Sequence, residues 1–195
     1  MVRMIVASMA LAAAPGAAHG ACTDTALVRR LPGESTAAFA TRIRPAGREL
    51  VHPAVEGRFA ATAGDVVALY GTRSDGLTEG WVLTPELRCV GQYRRIPLPI
   101  QDISLMSVAN PSFQVRAVLR ANADRDADRE LILILYARGV GPADERGQRD
   151  RSEEHNVAVF DRVGRRFVYR YPISAKLHDR PTAVAVRRRL RALGY

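Results

Sequence analysis

Five oxygen-bearing side chains, Asn122, Asp124, Asp126, Asp128 and Glu130, alternate with Ala123, Arg125, Ala127 and Arg129, and an apolar run over 131–135 follows at once. Alternation on a tight loop turns successive oxygens toward one point, where a hard cation such as Ca²⁺ gathers six to eight of them. The spacing therefore predicts a metal site built from Asn122, Asp124, Asp126, Asp128 and Glu130, with Asp128 contributing its backbone carbonyl. Such an ion is structural in this reading and pins the loop beneath the strand. The competing arrangement is an acidic turn, free of metal, whose carboxylates pair with Arg125 and Arg129.

Other chemistry has less support. Beyond residue 20 the histidines are His52, His155 and His178, and no H-E-x-x-H, C-x-x-C or H-x-H spacing joins them into a zinc site. Ser104, Ser107 and Ser174 have no nucleophile-elbow context. No glycine-rich phosphate loop is present, so no nucleotide cofactor is expected. Glu153, Glu154 and His155 form a small acid–base cluster, since a neighbouring carboxylate holds a histidine near neutrality. The plainer reading is a solvated loop end. Asp124 and Glu130 also have the types of a glycosidase pair, a use that competes with an ion. No residue is assigned a catalytic role.

The elements that must position the loop are short and mostly extended. Residues 34–44 predict a helix capped by Ser35 or Thr36, with Ala37, Phe39, Ala40 and Ile43 on one stripe and Pro45 as its stop. Strands are expected over 66–70, 80–84, 90–96, 112–120 and 131–136, the last covered on both faces. Residues 139–154 are polar and bounded by Gly and Pro, and read as an exposed loop. A hairpin follows, with arms 156–160 and 166–171 around a turn over 161–165. A closing helix over 181–193 places Ala183, Val186, Leu190 and Leu193 on one face. The expected fold is α+β: an antiparallel sheet, or meander, flanked by an N-terminal and a C-terminal helix.

Position by position, the acidic loop resembles the calcium-binding loop of FG-GAP and dockerin-like repeats, D-x-[DN]-x-D-G-x-x-[DE]-L. Asn122, Asp124, Asp126 and Glu130 fall on its ligand positions and Leu131 begins its strand. Asn122 replaces the usual first carboxylate, and Ala127 stands where glycine permits a left-handed turn. An EF-hand fits less well, because Leu133 occupies the place of the closing glutamate. Over its length the chain also resembles small secreted bacterial proteins of unassigned function. That pattern comprises 31–34 (Leu-Pro-Gly-Glu), 80–83 (Gly-Trp-Val-Leu), the acidic loop and the end of the chain over 189–195. It implies a layout and no activity.

Residues 1–20 read as a signal peptide: Arg3 is the sole charge, an apolar core spans 4–14, and Ala18 and Gly20 flank a cleavage site near Ala21. The remaining 21–195 are expected to form a single domain without a transmembrane segment. Cys22 and Cys89 are the two cysteines, most simply a disulfide in an exported chain; free thiols or lipid attachment at Cys22 are the alternatives. The net charge of +9 does not point to nucleic acid. Its arginines are spread along the chain without interleaved aromatics, and Lys176 is the sole lysine. The expectation is a periplasmic or secreted binding protein whose partner is another envelope component. A hydrolase of envelope polymers using the loop carboxylates is the rival class, and an inhibitor or immunity protein against a toxin or lytic enzyme is a variant of the binding class.

Overall fold

Two aliphatic runs, 66–70 and 131–135, have no polar side, so each must be covered on both faces, and the fold is organised around doing that. The computed structural model describes residues 22, 24–59, 64–103, 109–126, 129–143 and 148–195; the signal-peptide reading over 1–20 lies outside them. In chain order the elements are β1 (Leu27–Arg29), α1 (Thr36–Arg42), β2 (Glu49–Leu50), β3 (Val55–Gly57), β4 (Asp65–Thr72), β5 (Gly76–Pro85), β6 (Gln92–Leu98), β7 (Ala109–Ala121), β8 (Glu130–Ala143), β9 (Arg149–Val163), β10 (Arg166–Tyr169), α2 (Tyr171–Lys176) and α3 (Ala183–Ala192). The class is α+β, as the sequence predicts.

The strands form one curled sheet in the order β1-β6-β5-β7-β8-β9-β10, with β4 on the free edge of β5 and both β2 and β3 on β4. All pairings are antiparallel except the β5–β7 junction, where Gly76 meets Phe113. That junction requires glycine. Gly76 has φ of +65°, and a Cβ there would stand 2.0 Å from the Phe113 carbonyl oxygen.

Curling gives the sheet an inner and an outer face. Inside, Val67, Leu69, Val82, Leu98, Leu131, Leu133, Leu135 and Phe160 pack together. Outside, α1 covers β4 and β5 through Phe39, Ala40 and Ile43 against Val66, Ala68 and Tyr70. On the other outer flank, Ile173 and Leu177, from α2 and its end, with Val186 and Leu190 of α3, cover Ile132, Ile134, Val157 and Val159. β4 and β8 are thus the doubly covered strands, which explains why they lack alternation. Trp81 is half-buried beside Tyr70, with the Arg95 guanidinium over its ring.

Cys22 and Cys89 are bridged, with Cα atoms 5.7 Å apart. The bridge fastens the segment that leads into β1 to the β5–β6 turn. At α1, Ser35 Oγ accepts from the Ala38 amide at 3.2 Å. Ser35→Ala is expected to lower stability by about 1 kcal/mol in urea denaturation, and Ser35→Gly by less. An unchanged midpoint in the alanine variant would argue that the cap is without weight.

Several expected boundaries move. The loop expected over 139–154 is largely strand among the described residues: β8 continues to Ala143 and β9 begins at Arg149, paired through Gly139↔Ser152 and Val140↔Arg151. Backbone pairing carries this extension, and Gly139, Gly141 and Pro142 leave no apolar period to read. The turn expected over 161–165 shrinks to Gly164 and Arg165, because β9 runs through Val163. Val90 belongs to the preceding turn, not to β6. Tyr171, expected as strand, opens α2, where Pro172 suits the first turn.

Candidate metal centre

β7 and β8 are joined by the acidic loop, with Ala121 opposite Glu130 at its base. The β8–β9 register, Leu131 against Phe160, places the next residue along, Asp161, beside Glu130. Strand alternation then turns both carboxylates to the outer face, where Ile132 and Val159 also point. The loop brings Asp124 and Asp126 over them. One oxygen from each of Asp124, Asp126, Glu130 and Asp161 lies within 4.8 Å of all the others. Oxygens on opposite sides of a calcium ion stand about 4.6–5.2 Å apart, twice the Ca–O distance, so the cluster has the size of one coordination sphere. It can bind a metal ion.

Glu130 is the deepest member at 1 % exposure. One oxygen, Oε2, accepts from the Ala123 amide. The other, Oε1, is buried and has no hydrogen-bond partner. Burial pushes the Glu130 carboxyl up to about 7; the amide contacts oppose the rise and the charges of Asp124 and Asp126 add to it. Asp161 is likewise raised, first by burial and then by Asp124, while Arg170 opposes. A buried carboxylate oxygen without a donor is costly when ionised, and a cation removes that cost.

Arginines frame the cluster rather than fill it. Arg170, at the start of α2, lies 3.8 Å from both Asp124 and Asp161. Arg125 turns away: its guanidinium donates to the carbonyls of Gly194 at 2.8 Å and Leu193 at 3.1 Å, over the Tyr195 ring. A cation there suits the negative end of α3. Arg125 also carries the loop's left-handed turn, with φ of +74°.

The predicted ligands separate accordingly. Asp124, Asp126 and Glu130 converge, whereas Asn122 is engaged with the loop itself, accepting from the Arg125 amide at 2.7 Å and donating to the Asp126 carbonyl. Asp128 lies outside the described residues. Asp161 is the member the spacing missed, although a signal existed: the runs 131–135 and 156–160 each end in a carboxylate, and pairing them brings those ends together.

The acid–base cluster at 153–155 is split by strand alternation, which turns Glu154 to the face opposite Glu153 and His155. Glu153 pairs with Arg138 at 3.0 Å and His155 packs on the Tyr136 ring, while Glu154 faces His178 at 3.9 Å.

No family model, no curated protein and no solved structure matches this chain.

Proposed function

We propose that this chain is an exported protein that binds Ca²⁺ through Asp124, Asp126, Glu130 and Asp161, and that it works by engaging an envelope partner. The observation that carries the cation is the buried, unpartnered Oε1 of Glu130 among three further carboxylates. All four ligands are hard oxygens, and no histidine or thiol joins them, a donor set that favours Ca²⁺ over zinc. Asn122 shapes the loop through its hydrogen bonds, and Arg170 balances part of the charge. The ion ties the loop to β8 and β9 and, through Arg125, to the end of α3. The Cys22–Cys89 bridge supports export, because disulfides persist in oxidising compartments. It also engages the sulfur that lipid attachment would use. No helix among the described residues is long and apolar enough to cross a membrane.

Extracellular calcium modules work at Kd of about 10⁻⁴–10⁻³ M. Several millimolar calcium then stabilises the fold by about 1–2 kcal/mol. The melting temperature should rise by roughly 2–8 °C. Asp124→Ala and Asp126→Ala should abolish the rise. A wild type whose melting is indifferent to calcium would defeat the assignment.

One feature favours a second reading, hydrolysis of an envelope polymer. Glu130, whose carboxyl burial pushes up to about 7, stands beside Asp124 and has the poise of a general acid. Turnover of glycan or ester substrates, inhibited by calcium and lost in Asp124→Asn, would favour it over binding.

A further inference from the structure

Three hairpin tips share one end of the curled sheet. β5 runs parallel to β7, and every other pairing here is antiparallel, so the β5–β6 turn, the acidic loop and the β9–β10 turn point the same way. Two of these tips hold aliphatic side chains in water. Leu87 is 82 % and Val90 98 % exposed on the β5–β6 turn, and Val163 is 47 % exposed at the β9–β10 turn. Between the two turns lies a groove of about 230 Å³ lined by Leu87, Arg88, Arg94, Arg162 and Arg165, with Glu86 its one carboxylate. Arg94 holds Glu86 at 3.1 Å, which leaves Arg88, Arg162 and Arg165 without a carboxylate partner among the described residues.

We propose that the β5–β6 and β9–β10 turns at this end dock on an anionic phospholipid surface. Leu87 and Val90 enter the acyl boundary while Arg88, Arg162 and Arg165 meet lipid phosphates. The pairing of features selects this partner. A soluble polyanion would use the guanidiniums and leave the aliphatic tips in water, and an apolar protein surface would bury the guanidiniums unpaired. A lipid interface satisfies both, since apolar side chains and cations are stabilised there at different depths. Arginine also grips a phosphate through two donors at once. Cys89, 3 % exposed and bridged to Cys22, lies between Leu87 and Val90 and fixes the turn that presents them. This gives the envelope partner of the proposed function a chemistry and rests on that reading for the exported location.

The test is co-sedimentation of the oxidised protein with phosphatidylglycerol–phosphatidylcholine vesicles and with pure phosphatidylcholine vesicles, in EDTA so that the calcium reading plays no part. The expected result is partition onto the anionic vesicles alone. It should fall about 5-fold for each arginine removed, and on the order of 100-fold in Arg88→Gln/Arg162→Gln/Arg165→Gln. Leu87→Ser/Val90→Ser should weaken it about 10-fold. Leu87, Val90, Arg88 and Arg165 are exposed and Arg162 is half-buried, and unchanged melting curves would establish that the variants are folded. Absence of binding to anionic vesicles, equal binding to both vesicle types, or indifference to Leu87→Ser/Val90→Ser would overturn the proposal. Inorganic polyphosphate bound equally by wild type and that double variant, at vesicle-like affinity, would overturn it in favour of a polyanion site.

Discussion

Without metal, Glu130→Gln is expected to be more stable than the wild type at pH 8, by on the order of 3 kcal/mol, and to lose the response to calcium. The Glu130 carboxyl titrates at about 7 in the fold against 4.5 ordinarily. Between those values the native state keeps a proton that the unfolded chain has released, so raising the pH favours unfolding. Its contribution is fully retained below about 4.5, is lost as pH rises through 7, and changes little above that. Glutamine keeps an acceptor for the Ala123 amide and carries no charge to bury. Urea denaturation in EDTA at pH 4 and pH 8 should show the two proteins nearly equal at the lower pH and far apart at the higher. Calcium should restore much of the wild type's deficit at pH 8. A glutamine variant equally destabilised at both pH values would mean that Glu130 serves packing rather than charge.

Removing the disulfide should have an effect as large. The bridge spans 67 residues in sequence and restricts the unfolded chain by about 4 kcal/mol on the chain-entropy account. The paired variant Cys22→Ser/Cys89→Ser avoids a stray thiol and should lower stability by roughly 2–5 kcal/mol. Its native consequence should be local: β1 is a three-residue strand held on β6 by Leu27, Val28 and Arg29, and without the bridge that arm should become the first site of proteolysis. A loss below 1 kcal/mol, with unchanged cleavage, would show that packing alone holds the arm.

The parts of the fold that were legible are those where packing imposes a pattern. The run at 131–135 had to be covered on both faces, and Phe39 with Ala40, or Val186 with Leu190, had to face the sheet. The disulfide was legible because there are two cysteines in the whole chain. The short edge strands β2 and β3, of two and three residues, were not, since so few side chains carry no period. The extension of β8 and β9 was hidden because backbone pairing carries it and Gly139, Gly141 and Pro142 leave no apolar period. At the site, local spacing gave the residues that one loop supplies, Asp124, Asp126 and Glu130. Asp161 lies 31 positions beyond Glu130 and reaches it through register, which becomes visible once the two apolar runs are paired. The glutamates and histidine at 153–155 failed in the opposite way: adjacent in sequence, they are divided by the strand, which turns Glu154 away from Glu153 and His155.

Asp161 offers the most direct test of the metal centre, because the fold supplies it from outside the loop's own spacing. Calcium should be titrated by calorimetry into the oxidised protein and into Asp161→Asn at neutral pH. One ion per chain is expected, with saturable heat in the wild type and affinity weakened at least about 10-fold in the variant. No saturable heat up to several millimolar, or identical affinity in the two proteins, would contradict it.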